Sequence, residues 1–220
     1  QIGVSDIARE IVLRIVTAAE KLGVKYVISP ECGHALFALR WEGPNPIRRP
    51  SKLEVVHVLE LLDQLHKEGR LETEGTLDAA LTFHDPCQIV RRSGIVAEPR
   101  KLLGLVASDF REMEDPGMNN WCCGGGGGVA AIPRAEELRY TVFKIKKRQI
   151  EGTGANTLVT TCANCRNVIE EGLEHYKMDT KVLGLTELVA EYLKKDDASW
   201  ASASSSTPSP ASRAICASRR

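Results

Sequence analysis

The chain has 220 residues, a formal net charge of zero and 43% hydrophobic side chains. That balance excludes global disorder and gives no basis for binding nucleic acid or an anionic membrane surface. No run of about 18 apolar residues occurs, so no membrane-spanning helix is predicted.

The seven cysteines include an adjacent pair and a CxxC. Such spacing is unlike a disulfide framework and fits a metal or redox site in a reducing compartment. The sequence opens at Gln1, directly in a helical pattern, and reads as a fragment lacking an N-terminal part.

Ile7, Ile11, Ile15 and Ala18 recur at helical spacing up to Leu22, and Gly23 stops the helix. Residues 25–29 predict a short buried strand, ending at Pro30-Glu31-Cys32-Gly33-His34. A helix over 35–40 and a proline-rich loop over 42–50 follow. Val55 and Val56 predict a strand tip, leading into an amphipathic helix up to Lys67. Residues 81–84 predict the next strand, ending at Asp85-Pro86-Cys87. Then come a helix over 98–106 opened by Pro99, a strand over 110–113 and a cysteine–glycine loop over 119–128. A long helix over 134–150, a strand over 158–161 and a Cys162–Cys165 turn follow. A helix over 167–175, a strand at 182–183 and a helix over 187–194 complete the pattern.

The segment Val56-His57-Val58-Leu59-Glu60-Leu61-Leu62 parallels Leu183-Gly184-Leu185-Thr186-Glu187-Leu188-Val189 at an offset of 127 residues. Such an ordered repeat predicts an α/β fold of two pseudo-repeated Rossmann-like halves, with parallel strands and flanking helices. Residues 1–75 are expected to be the C-terminal part of a first repeat, and 76–197 a complete second repeat. Residues 198–220, rich in Ser, Ala, Pro and Arg, are expected to be a disordered tail, which sets Cys216 aside.

Cys87, Cys122, Cys123, Cys162 and Cys165 each fall where a strand ends or a glycine loop begins. In open α/β sheets the carboxyl ends of the strands form the binding crevice, so three distant segments can converge there. Helix N-termini after the turns favour thiolates. Five thiolates exceed what one four-coordinate zinc takes and suit a polynuclear iron–sulfur centre. Gly124 and Gly125 open a glycine run whose backbone N–H groups can approach cluster sulfur. The rival readings of that run are a phosphate loop, which lacks the following Lys-Ser/Thr, and a plain flexible loop.

His84-Asp85-Pro86-Cys87, Cys122-Cys123-Gly124-Gly125 and Cys162-Ala163-Asn164-Cys165 resemble the cysteine-rich CCG domain of heterodisulfide reductase B and D subunits. Glu31-Cys32-Gly33-His34-Ala35 resembles the DsrK-type branch of sulfate reducers and the related Hmc and Tmc subunits. The resemblance implies five ligands to one [4Fe-4S] cluster, cubane or non-cubane, that reduces a disulfide or a protein-bound trisulfide. It implies further redox subunits as partners, one of them membrane-bound and linked to quinone or cytochrome, and a small thiol or disulfide protein as substrate. The implied location is cytoplasmic, at the inner face of the membrane through those partners. Only Cys32 stands in the first-half turn, with Ala35 where a second cysteine would be.

Cys32 is a candidate sixth ligand, a substrate-contacting thiol or a small buried hydrophobe. His34 is a candidate proton donor to a leaving thiolate, or a helix cap. His84 reads as a satisfied core or supporting histidine, and Asp85 as fixing the turn at Pro86. Arg91 and Arg92 suit an anionic partner, cluster charge or a solvated pair. The basic run 144–148 reads as a solvated helix face, and Trp121 as a shield for the cluster. His57, His66 and His175 receive no role. Two other functions fit the same residues: an electron-relay subunit of a flavin-linked lactate or glycerol-3-phosphate dehydrogenase, and a zinc-binding assembly module.

Overall fold

The computed structural model describes residues 4–43 and 53–194. Most of the predicted proline loop, the tail and Cys216 lie outside the described residues.

Two parallel sheets carry the fold. In the first, β1 (Tyr26–Ser29) pairs with β2 (Glu54–His57), Val27 opposite Val55. The second has four parallel strands in the order β4-β3-β5-β6: β3 is Leu77–His84, β4 Ala107–Arg111, β5 Thr157–Thr160 and β6 Lys181–Gly184. The helices are α1 (Ser5–Lys21), α2 (Gly33–Phe37), α3 (Val58–Lys67), α4 (Cys87–Ser93), α5 (Ala97–Val106), α6 (Glu136–Thr153), α7 (Ala163–His175) and α8 (Leu185–Glu191). This is the expected α/β architecture, and the two sheets fit the pseudo-repeated halves.

The predicted repeat has a local physical basis. In both halves a glutamate at the third helical position turns back on the residue before its helix. His57 N donates to Glu60 Oε2 at 2.7 Å, and Gly184 N donates to Glu187 Oε2 at 3.3 Å. Each carboxylate satisfies a backbone donor that the helix start leaves orphaned. Each also receives an arginine from the neighbouring cysteine-turn segment: Arg40 Nη1 donates to Glu60 Oε1 at 3.0 Å, and Arg166 Nη1 to Glu187 Oε2 at 2.8 Å.

Several elements differ from the sequence expectation. Strand β3 starts four residues earlier than predicted, because Leu77 and Ala80 pair with β4 across an irregularity. Strand β4 comes three residues earlier, since α5 runs straight into it. Helix α7 starts at Ala163, so the CxxC turn forms its first turn rather than preceding it. The first half is also less buried than expected. Ile7, Ile11 and Ile15 of α1 are exposed while Val12 and Ala19 are buried. In β1 only Ser29 is buried, whereas all four residues of β5 are.

The topology decides where a site can form. From β3 the chain moves to β4 on one side, then crosses back to β5 on the other. The crevice beyond the carboxyl ends of β3 and β5 is therefore the switch point at which such sheets bind ligands. The two strands end in register, His84 beside Thr160, and Thr160 Oγ1 donates to the His84 carbonyl at 3.2 Å. The first half closes on the same end: Ala163 N donates to the Glu31 carbonyl at 2.9 Å, and Thr186 N to Glu31 Oε1 at 2.9 Å. Gly33 permits the approach, since a Cβ there would lie 2.6 Å from Gln88 Cβ.

Candidate metal centre

Strand β3 delivers His84, and Pro86 turns the chain so that Cys87 begins α4. The Asp85 carboxylate accepts two hydrogen bonds from Arg100, at 3.0 and 2.8 Å, and one from Gly117 N at 2.7 Å. The Asn120 amide donates to the Asp85 carbonyl. Asp85 thus does more than fix the Pro86 turn. It draws the 112–121 segment across the end of β3 and so sets the position of the cysteine pair. Cys122 Sγ comes to 3.9 Å from Cys87 Sγ.

The glycines after the pair have separate tasks. Gly124 has φ +90°, a conformation that only glycine adopts freely, and its N–H points at Cys122 Sγ, 3.4 Å away. Gly125 seats the loop on α7: a Cβ there would fall 2.4 Å from Val168 Cγ2, and its carbonyl accepts from Asn164 Nδ2 at 3.3 Å. A Cβ at Gly126, Gly127 or Gly128 would meet nothing within 4 Å among the described residues.

From the other strand, Cys162 is the N-cap of α7 and Cys165 sits in its first turn. The Cys165 thiol, then the N–H groups of Cys165, Asn164 and Gly33, bring the Cys162 thiol down to about 6 despite its burial. The neighbouring Cys122 thiol, together with burial, pushes the Cys123 thiol up to about 12, against the opposing pull of Cys165. Cys122 is drawn down by hydrogen bonds from the Cys123 and Cys87 thiols. Cys87 and Cys122 are thus joined at 3.9 Å, Cys122 and Cys123 are adjacent in sequence, Cys123 and Cys165 lie within 4.8 Å, and Cys165 and Cys162 share one helical turn, so the five thiols follow one another from Cys87 to Cys162. Cys123, Cys162 and Cys165 are buried, while Cys87 and Cys122 are half-buried, so the series meets solvent at the Cys87 end.

His84 is no satisfied core histidine. It is fully buried, and among the described residues neither ring nitrogen has a hydrogen-bond partner. One ring nitrogen, Cys123 Sγ and Cys165 Sγ lie within 4.8 Å of one another. Burial holds the imidazole well below its ordinary pKa, so it is neutral. Trp121, expected to shield the site, is 48% exposed, and its indole N–H donates to Asp115 at 3.1 Å. Cys32 is the half-buried N-cap of α2. His34, also half-buried, is pushed down by burial and feels the charges of Cys122 and Arg92. Arg92 stacks over the Phe37 ring at 3.6 Å, which ties α4 to α2.

Lys146 is the residue that sequence reasoning missed. Within the run expected to be a solvated face it is only 3% exposed. Its ammonium donates to Gln149 Oε1 at 2.6 Å and to Met113 Sδ at 3.8 Å, and burial brings it down to about 8. A signal was present. Arg139, Phe143, Lys146 and Ile150 fall on one helical face, and all four are buried.

The family description "Cysteine-rich domain" (CCG) matches residues 81–170, the segment spanning all five thiols. The chain belongs to the CCG cysteine-rich domain family. The D subunit of the dihydromethanophenazine:CoB–CoM heterodisulfide reductase from Methanosarcina mazei is 33% identical over 195 residues, covering 88% of this chain and 47% of that protein. The iron–sulfur subunit of an Hdr-like menaquinol oxidoreductase from Archaeoglobus profundus is 26% identical, covering 82% of this chain and 39% of the relative. An EtfAB:quinone oxidoreductase from Syntrophomonas wolfei is 30% identical, covering 76% and 24% respectively. The CCG chain spans about half the length, or less, of these curated relatives. Among its described residues no helix is long and apolar enough to cross a membrane.

Proposed function

We propose that this CCG chain is the iron–sulfur part of a heterodisulfide reductase-like oxidoreductase that passes electrons to a disulfide or a protein-bound trisulfide. One observation carries the reading: five cysteine sulfurs from three segments follow one another at the switch point of a parallel sheet. The donor set fits a [4Fe-4S] centre. All five donors are soft thiols, they exceed the needs of a single zinc, and a buried histidine with unpartnered nitrogens lies among them. Cys87, Cys122, Cys123, Cys162 and Cys165 would hold the cluster, whose chemistry when bound is one-electron exchange and soft binding of sulfur.

The rest of the mechanism belongs to the protein. The Gly124 N–H stabilises the Cys122 thiolate, and Gly125 locks the loop that carries it to α7. Disulfide reduction takes up two electrons and two protons and releases two thiols. The substrate sulfur enters at the half-buried Cys87–Cys122 end. There His34 supplies a proton to the departing thiolate and Cys32 contacts the substrate thiol. The cluster-bearing unit is 76–197, with 1–75 as the end of a preceding repeat. Partners are further redox subunits, including a membrane-bound, quinone- or cytochrome-linked one, which would hold this chain at the cytoplasmic face. The names of the relatives support that setting.

The test is anaerobic iron and sulfide analysis, followed by paramagnetic resonance of the oxidised chain with a disulfide or thiol added. A signal altered by substrate is expected. Iron and sulfide with an indifferent signal would leave the relay role for a flavin-linked dehydrogenase. Stoichiometric zinc without sulfide would leave the assembly module.

A further inference from the structure

Lys146 is a buried cation without a buried anion to match. Among the described residues its hydrogen bonds go to two neutral acceptors, Gln149 Oε1 and Met113 Sδ. The nearby Asp85 carboxylate is already committed to Arg100. Gln149 is itself fixed, because its Nε2 donates to the Glu114 carbonyl at 2.7 Å, which leaves Oε1 to hold the ammonium. Val142, one turn before Lys146 on α6, packs on the cysteine loop, where a Cβ at Gly124 would lie 3.3 Å from Val142 Cγ1. The charges of Cys123, Asp85, Cys165 and Cys122 reach the ammonium there, and its own reaches His84. An ammonium sealed from water among neutral thiols is costly. The same ammonium beside several thiolates is stabilised by them.

We propose that Lys146 is a positioning residue of the thiol site, its ammonium the built-in counter-charge of the anionic centre that Cys122, Cys123 and Cys165 hold. This rests on the iron–sulfur reading and deepens it. The lysine binds no iron. It offsets negative charge from one side, which favours loading and makes addition of an electron easier.

The experiment compares wild type with Lys146→Met, which keeps the stem and removes the charge, and with Lys146→Arg. Each full-length chain is studied metal-free and after anaerobic loading with iron and sulfide. In the metal-free chain Lys146→Met is expected to raise the melting temperature. In the loaded chain the same variant is expected to lose iron to a chelator about tenfold faster. Its one-electron reduction equilibrium should fall about tenfold, roughly 59 mV. Lys146→Arg should restore both wild-type values. A structural lysine behaves differently: Lys146→Met would destabilise or unfold both forms alike, or leave the potential unchanged, and either result overturns the proposal. A wild-type chain that takes up no iron sinks the iron–sulfur reading, and this inference with it.

Discussion

Two turns in this molecule are built alike and are surrounded differently. Cys32 and Cys162 each follow a short parallel strand and each cap a helix in extended conformation, at φ −151° and −141°. Three residues on, one helix carries Ala35 and the other Cys165. The second turn lies on a four-stranded sheet and faces the Cys87 and Cys122–Cys123 segments. The first lies on a two-stranded sheet and faces the second turn itself, giving Gly33 N–H to the Cys162 sulfur and the Glu31 carbonyl to Ala163. A strand–cysteine–helix turn by itself gathers no thiols. The second gathers them through the segments that the surrounding topology sets opposite it.

The largest effect is expected where that opposition is removed. Cys165→Ala should abolish iron binding after anaerobic reconstitution, while Cys32→Ala should retain wild-type iron per chain. Equal losses in the two variants would erase the distinction. Next is Asp85→Asn, which breaks the buried bidentate pair with Arg100 and weakens the hold on the Gly117 segment. A loss of about 3 kcal/mol is expected in urea unfolding of the metal-free chain. Gly125→Ala forces a methyl against Val168 and should cost about 1–3 kcal/mol. Gly126→Ala, in open space, is its control. The smallest effect sharpens the comparison most. Ala35→Cys restores a CxxC to the first turn, yet it should change stability by less than about 0.5 kcal/mol and add no iron. Extra iron in that variant would mean that the two turns are equivalent after all.

Much of this is legible in the sequence because the signals are local. The strand–turn–cysteine pattern and the 127-residue repeat follow from spacing alone, and the capping glutamates Glu60 and Glu187 explain why the repeat survives in structure. What is not legible depends on which face of an element turns inward. A basic run on a long helix reads as solvated until the phase set by Phe143 and Ile150 is counted, and then Lys146 falls inside. His84 reads as a satisfied core or supporting histidine because its neighbours come from segments 39 and 81 residues further along. Trp121 reads as a shield because it adjoins the thiols in sequence, whereas its bond to Asp115 turns it to solvent. The α1 isoleucines repeat as a core face would, but no described element covers them.

The crossover that brings β5 beside β3 also fixes a timetable. Cys165 leaves the ribosome 78 residues after Cys87, an interval of roughly 4–16 s at ordinary rates of translation. During it Cys87, joined 35 residues later by Cys122 and Cys123, belongs to a nascent chain whose CxxC turn has not been made. Two of them are neighbours in sequence, free to oxidise with each other or with a passing thiol. Maturation of this protein accordingly calls for a reducing milieu during synthesis, and a centre held by all five thiols could be completed only after Cys165 has emerged.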